Sequence, residues 1–487
     1  MTAASKAFQP NRFLKWNAWL LFFFALSFTF FAIQSGDVLM YLTLARDFLV
    51  HGEWPTVDPY LYSLPNAQLH IAHEYLSYFI FYGAWLALGF AGLIFLKVIV
   101  LAALFILPLR AQPRAQNMSL LWTSLWILAV MAGSFRFIER TSLFSDLFCV
   151  LLISWLVEEK RVSRSLVIRL TLLFGLWVQL HPGFPLGLAM LGIWASWNLI
   201  FNAEFKKRDL AWLLLPVAVL VVNPLALEGA LYPFRFAVNE ALILKHHNFE
   251  WFPSYHPAFR FTPEVIGYWG LLLAAVFILW REKAWLSLRG ILILFAAVSG
   301  IQAVRFIPWS SFALLILLKP WAVLKIHPRL LQPTLAVLMI GIMVKNVTFG
   351  YSGSSGKRTP SLTLDSNFFP IQTVEFLKSH PIAGTLYNAH DFGSYLLWQN
   401  YKPIFHHGFV TDMVFYENDV VGIFHSQARF LEVAKKYGWT KLLVDKHGSY
   451  PYFFKILSPL TDWKIVSEDD ASYLIYLLPG SEDSKSQ

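Results

Sequence analysis

Asp37 stands just past the first long apolar run, residues 16–33, which has the length of a membrane span. It lies in the segment Gly36-Asp37-Val38-Leu39-Met40-Tyr41 and opens a stretch that stays rich in polar and aromatic residues through Glu74. A carboxylate where a span leaves the bilayer can take a proton from a substrate held at the membrane surface. It can equally cap the short helix that follows it, by accepting from amide N–H groups that have no partner inside the helix. Both readings stand at this point.

Arg136 and Arg140 are spaced i, i+4, so a helical turn would set both guanidiniums on one face. Guanidinium forks match phosphate oxygens, and such a pair suits a lipid phosphate. An ion pair with Glu139 or Asp146 is the equal alternative. Arg305 sits between two apolar runs with no partner near it in sequence, which favours the same anion-binding role. His181 follows Gln179 at the end of another apolar run and joins these residues as a candidate for holding phosphate or sugar. His73-Glu74 opens the run 75–89. With Asp37 it could bind a sugar hydroxyl or a divalent cation, and Asp37 and Glu74 would then be the metal ligands. Alternatively, Glu74 favours a helix N-terminus electrostatically. No spacing here is a recognised metal signature, so a divalent cation remains an option and no cofactor is demanded. His246-His247 reads as an interfacial loop pair. The sequence contains no P-loop, dinucleotide fingerprint, nucleophile elbow or HExxH.

The elements that must position these groups are helices in a bilayer. Of 487 residues 57% are hydrophobic and only 14% charged, with a mean hydropathy of +0.52. No soluble domain needs so much apolar surface, so the chain is a polytopic α-helical membrane protein. The single cysteine, Cys149, lies in an apolar run and excludes disulfides and thiol metal sites. The net charge of +9 is spread over loops and reports topology; it is not a nucleic-acid footprint. Lys6, Arg12 and Lys15 precede the first run, which has no small-residue cleavage site after it and reads as a retained first helix.

Apolar runs follow at 93–109, 120–133, 143–157, 166–180, 185–200, 210–222, 265–280, 285–303, 307–318 and 331–344. The run 75–89 is ambiguous. If it dips in and returns, or lies along the surface, then every basic loop (Arg110/Arg114, Lys160/Arg161/Arg164, Lys206/Lys207/Arg208, Arg281/Lys283, Lys325/Arg329) faces the cytoplasm with the N-terminus. That arrangement has eleven spans plus one embedded helix, within the range of 11–12 helices. It places outside the loop 34–74, the turns at 135–141, 181–183 and Arg305, the long loop 223–263, and everything after Lys345. Ionisable groups then gather on the outer face, which argues for a cavity opening there. Lys97 and Arg235 are read as ordinary snorkelling side chains.

Composition changes after Lys345. The expected organisation is a transmembrane domain over 1–348, a Gly/Ser-rich linker over 349–357, and a small extracytoplasmic α/β domain over 358–487. In this tail 371–379, 392–399 and 424–437 read as helices; 384–388, 441–445, 463–467 and 472–477 read as strands.

Taken in order, these segments resemble a family. Gly36-Asp37 is followed by Leu44-Ala45-Arg46-Asp47, His51-Gly52, Pro55-Thr56-Val57-Asp58-Pro59-Tyr60 and His73-Glu74-Tyr75-Leu76. This is similar to the first loop of bacterial glycosyltransferases of the GT-C superfamily, which includes the protein O-mannosyltransferases and the lipid A aminoarabinose transferases. Gln179-Leu180-His181-Pro182-Gly183, Asn223-Pro224, Glu250-Trp251, Arg305-Phe306-Ile307-Pro308 and Asp391-Phe392-Gly393-Ser394-Tyr395-Leu396 extend the likeness over nearly the whole chain. The resemblance implies transfer of a sugar from a polyprenyl-phosphate donor to an acceptor glycan, lipid or protein, on the outer face of a bacterial cytoplasmic (inner) membrane. Asp37 falls where that family keeps its first-loop acid, a base or acceptor-orienting group. Related tails tend to carry an Asp-Gly-Arg element where this chain has His406-His407-Gly408-Phe409, so no role is carried over to the tail. Two other readings are a transporter or flippase for a lipid-linked or anionic solute, and a non-catalytic scaffold. A transporter usually shows internal repeats, and none is visible here.

Overall fold

The computed structural model of the chain describes residues 12–69, 72–110, 120–239, 248–321, 331–353, 356–381, 383–410, 412–448, 450–460 and 462–477. The His246-His247 pair lies outside the described residues, as do Lys6, His70, Arg114, Glu240, Lys245, Lys325 and Arg329. In chain order the helices are α1 (Arg12–Leu26), α2 (Gly36–His51), α3 (Tyr75–Leu88), α4 (Phe90–Arg110), α5 (Leu120–Gly133), α6 (Ser142–Leu156) and α7 (Arg164–Leu180). Next come α8 (Phe184–Phe201), α9 (Lys207–Ala218), α10 (Ala226–Asn239), α11 (Pro263–Glu282), α12 (Leu288–Gln302), α13 (Ile307–Leu318) and α14 (Leu331–Phe349). The strands β1 (Tyr351–Gly353) and β2 (Gly356–Arg358) precede α15 (Ile371–Ser379), β3 (Thr385–Asn388), α16 (Gly393–Trp398), α17 (Gln427–Tyr437), β4 (Trp439–Asp445), α18 (Tyr450–Leu457), β5 (Trp463–Glu468) and β6 (Ser472–Leu477).

Two compact units emerge, and neither is continuous in sequence. The first comprises Met1–Phe31 and Ile94–Pro360. Its centre is α13, which is apolar on every side and buries each of its 12 residues, as a helix without a polar face must. Around it pack α5, α6, α11 and α12. Tyr268 on α11 bonds Ser310 of α13 at 2.9 Å, and Ser310 donates to Ala296 O of α12 at 2.7 Å, so these two buried hydroxyls are satisfied. By length and composition α4, α8 and α11 can each cross a membrane. The stretch Lys207–Val221 and the helix Ala226–Val238 form an apolar pair bent by 95°, the geometry of a broken span or of a re-entrant loop. Shorter apolar helices of 10–17 residues accompany them, among them α5, α6 and α12. The chain is a multi-pass membrane protein.

The bend falls at Asn223-Pro224. Asn223 Nδ2 donates to Leu220 O and Ala226 O, and its Oδ1 accepts from Leu225 N, so one side chain ends one helix and starts the next. The first part of the segment expected as a long loop, 223–263, is therefore helical as α10. Lys97 does not snorkel. It is 2% exposed and its Nζ lies 2.6 Å from Glu139 Oε1, itself 1% exposed. Arg235 is exposed. The Gly/Ser-rich stretch after α14 forms an antiparallel hairpin, β1 with β2. Tyr351 OH and Arg358 Nη1 both donate to Ser134 O, fastening the hairpin to the end of α5.

The second unit comprises Ala32–Leu93 and Ser361–Gln487. Its sheet runs in the order β3-β4-β6-β5, with β3 parallel to β4 and the other pairs antiparallel. Tyr387, Phe405, Phe430, Trp439 and Phe453 fill its core, and Tyr62 and Leu64 from the first loop pack on the same cluster. Backbone bonds join loop and tail directly. Ile33 N donates to Thr363 O, Tyr62 N to Ile404 O, and Ile404 N to Tyr60 O. Helix α16 lies against α2, and α3 packs on the same helix. After α3 the chain turns at Gly89 (φ +61°), and a Cβ at Gly92 would lie 1.9 Å from Ala84 O, a closeness only glycine permits.

Candidate functional site

Asp37 lies in the first turn of α2, half-buried. The N-cap position belongs to Ser35, so Asp37 is not the cap; its charge sits where the helix dipole favours an anion. The motif residues after it are structural. Arg46 donates to Leu397 O and Trp398 O and stacks on the Trp398 ring, while Asp47 accepts from Tyr60 OH at 2.9 Å. The Arg46 contacts bind α2 to α16, and the Asp47 contact binds α2 to the first loop.

One histidine that the sequence reading did not single out, His390, faces the same glycine as Asp37. A Cβ at Gly408 would lie 3.8 Å from Asp37 Oδ1 and 3.5 Å from His390 Nε2, so both groups face the bare side of that glycine. His390 Nδ1 is 3.1 Å from His406 Nε2. His406 is fully buried; burial first, then the neighbouring His390 and His407, push its imidazole well below the usual range. His407 accepts from Phe409 N at Nδ1, so its Nε2–H is the donor to Asp58 Oδ2 at 2.7 Å, a pair almost wholly removed from solvent. The His406-His407-Gly408 segment is thus a built element: His406 meets His390, and His407 meets Asp58. Its peculiarity was legible, its purpose was not.

His73 and Glu74 form a single 3-10 turn, Ala72–Glu74, ahead of α3; Glu74 is buried and His73 half-buried. Among the described residues no group of three or more His, Cys, Asp or Glu side chains is arranged to hold a metal ion.

The arginines lie in the first unit. Arg136 ends the 3-10 turn Ser134–Arg136, and the chain then leaves helical geometry at Phe137, so no shared helix face joins Arg136 to Arg140. They meet at a carboxylate instead. Arg136 Nη1 is 2.8 Å from Glu250 Oε1, and Arg140 Nη1 pairs with the same oxygen. Glu139 is held by Lys97, whereas the buried Asp146 lies within electrostatic reach of Arg136 and Arg305. Glu250 sits in the turn Phe249–Trp251, whose Asn248 accepts from Glu250 N. Val304 N donates to Phe252 O and Ser254 N to Ile301 O, which brings that turn beside Arg305. The Arg305 guanidinium lies 4.2 Å from the Trp251 ring centre. Burial alone would raise the Glu250 carboxyl, yet Arg136, Arg140 and Arg305 hold it well below the usual carboxylate range. His181 ends α7; its Nδ1 is 2.7 Å from Ser145 Oγ and accepts from Gly183 N, so this nitrogen serves the turn.

No family model matches the chain, and no curated relative matches it in sequence. Solved structures match its fold. ArnT from Cupriavidus metallidurans in the apo state aligns at 12% identity with a TM-score of 0.54, over 96% of this chain and 97% of that one. The same protein bound to undecaprenyl phosphate gives 12% and 0.54, over 96% and 98%. The oligosaccharyltransferase AglB from Archaeoglobus fulgidus, in complex with an inhibitory peptide and a dolichol-phosphate, aligns at 11% with a TM-score of 0.57, over 91% and 70%. At such identities the likeness speaks for the fold: this chain has the GT-C fold, helical in its membrane part with a small C-terminal sheet.

Proposed function

We propose that this protein transfers a sugar from a polyprenyl-phosphate-linked donor to an acceptor at the outer face of the membrane. The observation that carries the reading is the convergence of Arg136, Arg140 and Arg305 on the single carboxylate of Glu250. Two acids face these three guanidiniums, Glu250 and the buried Asp146, so the cluster keeps a net positive charge, and the phosphate of a lipid is an anion that a membrane enzyme meets. In transfer, the acceptor oxygen attacks the anomeric carbon, the bond from that carbon to the phosphate oxygen breaks, and the phosphate leaves with the electron pair. Asp37 takes the acceptor's proton, and the arginines steady the leaving phosphate. The fold it shares with ArnT and AglB, whose complexes hold undecaprenyl phosphate and dolichol-phosphate, supports the donor class.

Asp37→Asn is the direct test. It should cut transfer by about a hundredfold or more, the usual worth of a general base, while expression and membrane insertion stay as in the wild type. Full activity in the purified variant sinks the reading.

A further inference from the structure

The bare face of Gly408 has an acid on one side and an imidazole on the other. Asp37 Oδ1 and His390 Nε2 lie 3.8 and 3.5 Å from the point a Cβ would occupy. His390 and Gly408 are exposed and Asp37 half-buried, so the spot opens to solvent from within the second unit. The tautomer of His390 follows from its neighbour. Buried His406 leaves its Nδ1 without a hydrogen-bond partner. An unfilled lone pair costs less there than an orphaned N–H, and a neutral ring carries one proton, so His406 has it on Nε2. That N–H donates to His390 Nδ1 over 3.1 Å. His390 then presents an Nε2–H towards Gly408, beside a carboxylate that can only accept.

We propose that this spot is the seat of the acceptor hydroxyl, and that His390 is a catalytic residue of the second unit that orients it. The inference deepens the function proposed above and rests on it. The hydroxyl oxygen accepts from His390 Nε2–H with one lone pair and attacks the anomeric carbon with the other, while its proton passes to Asp37. His406 is a positioning residue: it fixes which nitrogen of His390 carries the proton. Gly408 is required because any side chain would fill the seat. The ligand class is an alcohol, and the gain comes from holding it in an attacking geometry.

The test uses the full-length protein in detergent with a panel of polyprenyl-phosphate-linked mannose, glucose, galactose and aminoarabinose, and glycerol as the probe alcohol. His390→Ala and Gly408→Val should lower transfer to glycerol by about tenfold to a hundredfold, chiefly through a raised KM for glycerol. Binding of undecaprenyl phosphate and the melting temperature should stay unchanged. His390→Gln keeps a donor and should recover part of the loss, which a merely structural residue would not show. Wild-type transfer kinetics in His390→Ala and Gly408→Val would overturn this inference and leave the proposed function standing. Absence of sugar release from every donor by the wild type would overturn the proposed function and this inference with it.

Discussion

At the scale of residues, the two clusters differ in how their charges are kept. Glu250 is the anion among three guanidiniums, and its depressed folded-state value means its stabilisation is present above the ordinary carboxylate range and is lost only when pH falls through that lower value. The ion pairs therefore survive mild acid. A donor phosphate would have to compete with this carboxylate for Arg136 and Arg140, so Glu250→Gln should tighten binding of undecaprenyl phosphate by about tenfold, or about 1.4 kcal/mol. Equilibrium binding to the purified protein reads this directly; weaker binding would mean that Glu250 aligns the arginines instead. His406 works in the opposite sense. It is a base whose folded value is lowered, so the unfolded chain takes up a proton near pH 6.5 that the folded chain refuses. Its stabilisation is complete above about pH 6.5 and declines as pH falls below it, by at most about 1.4 kcal/mol per pH unit. Melting curves between pH 7 and 5 should show a steeper loss in the wild type than in His406→Gln; equal slopes would refute the neutral, buried assignment.

At the scale of elements, α3 and α4 carry the topology. Helix α3 has 14 residues and so a length of about 21 Å, short of a hydrocarbon core of about 30 Å. Helix α4, with 21 residues, reaches about 31 Å. The turn at Gly89 brings Gly92, in the first turn of α4, close against Ala84 of α3. A short helix that enters and returns leaves α4 as the crossing element, with Arg110 on the side of the N-terminus. A membrane-impermeant maleimide should label Arg110→Cys from the cytoplasmic side only, and labelling from outside would overturn the assignment. Much of this scale was legible in the sequence. The tail's alternation of short apolar runs marked α15, β3, α16, β5 and β6 to within a residue or two, because strand and helix periods differ. Helix α18 was not singled out: Phe453, Ile456 and Leu457 do share a helical face, but Tyr-Pro-Tyr-Phe-Phe-Lys-Ile-Leu is only 8 residues long, too short for the period to stand out.

At the scale of the whole molecule, periodicity reads only neighbours along the chain, so the association of the first loop with the tail could not be seen. Asp37 could be found because it follows a span; His390 could not, because nothing in its own segment links it to Asp37. The loop depends on the tail through identifiable contacts. Ile33 and Thr363, and Tyr60 and Tyr62 with Ile404, exchange backbone hydrogen bonds worth about 1 kcal/mol each net. Arg46 holds two carbonyls of α16, and Asp58 pairs with His407 in the interior. Losing one partner of such a buried pair costs about 3–5 kcal/mol, a large part of an ordinary domain's stability. Ending the chain after Pro360 removes all of these partners at once. Residues 32–93 should then lose their structure while the helices of the other unit, with their own core around α13, still insert. Limited trypsin treatment of the purified proteins should cleave after Arg46 in the truncated chain and not in the full one, since in the latter that side chain is 22% exposed and anchored at both carbonyls. Equal resistance in the two would show that the first loop folds without the tail, and would break the link by which the tail's His390 reaches Asp37.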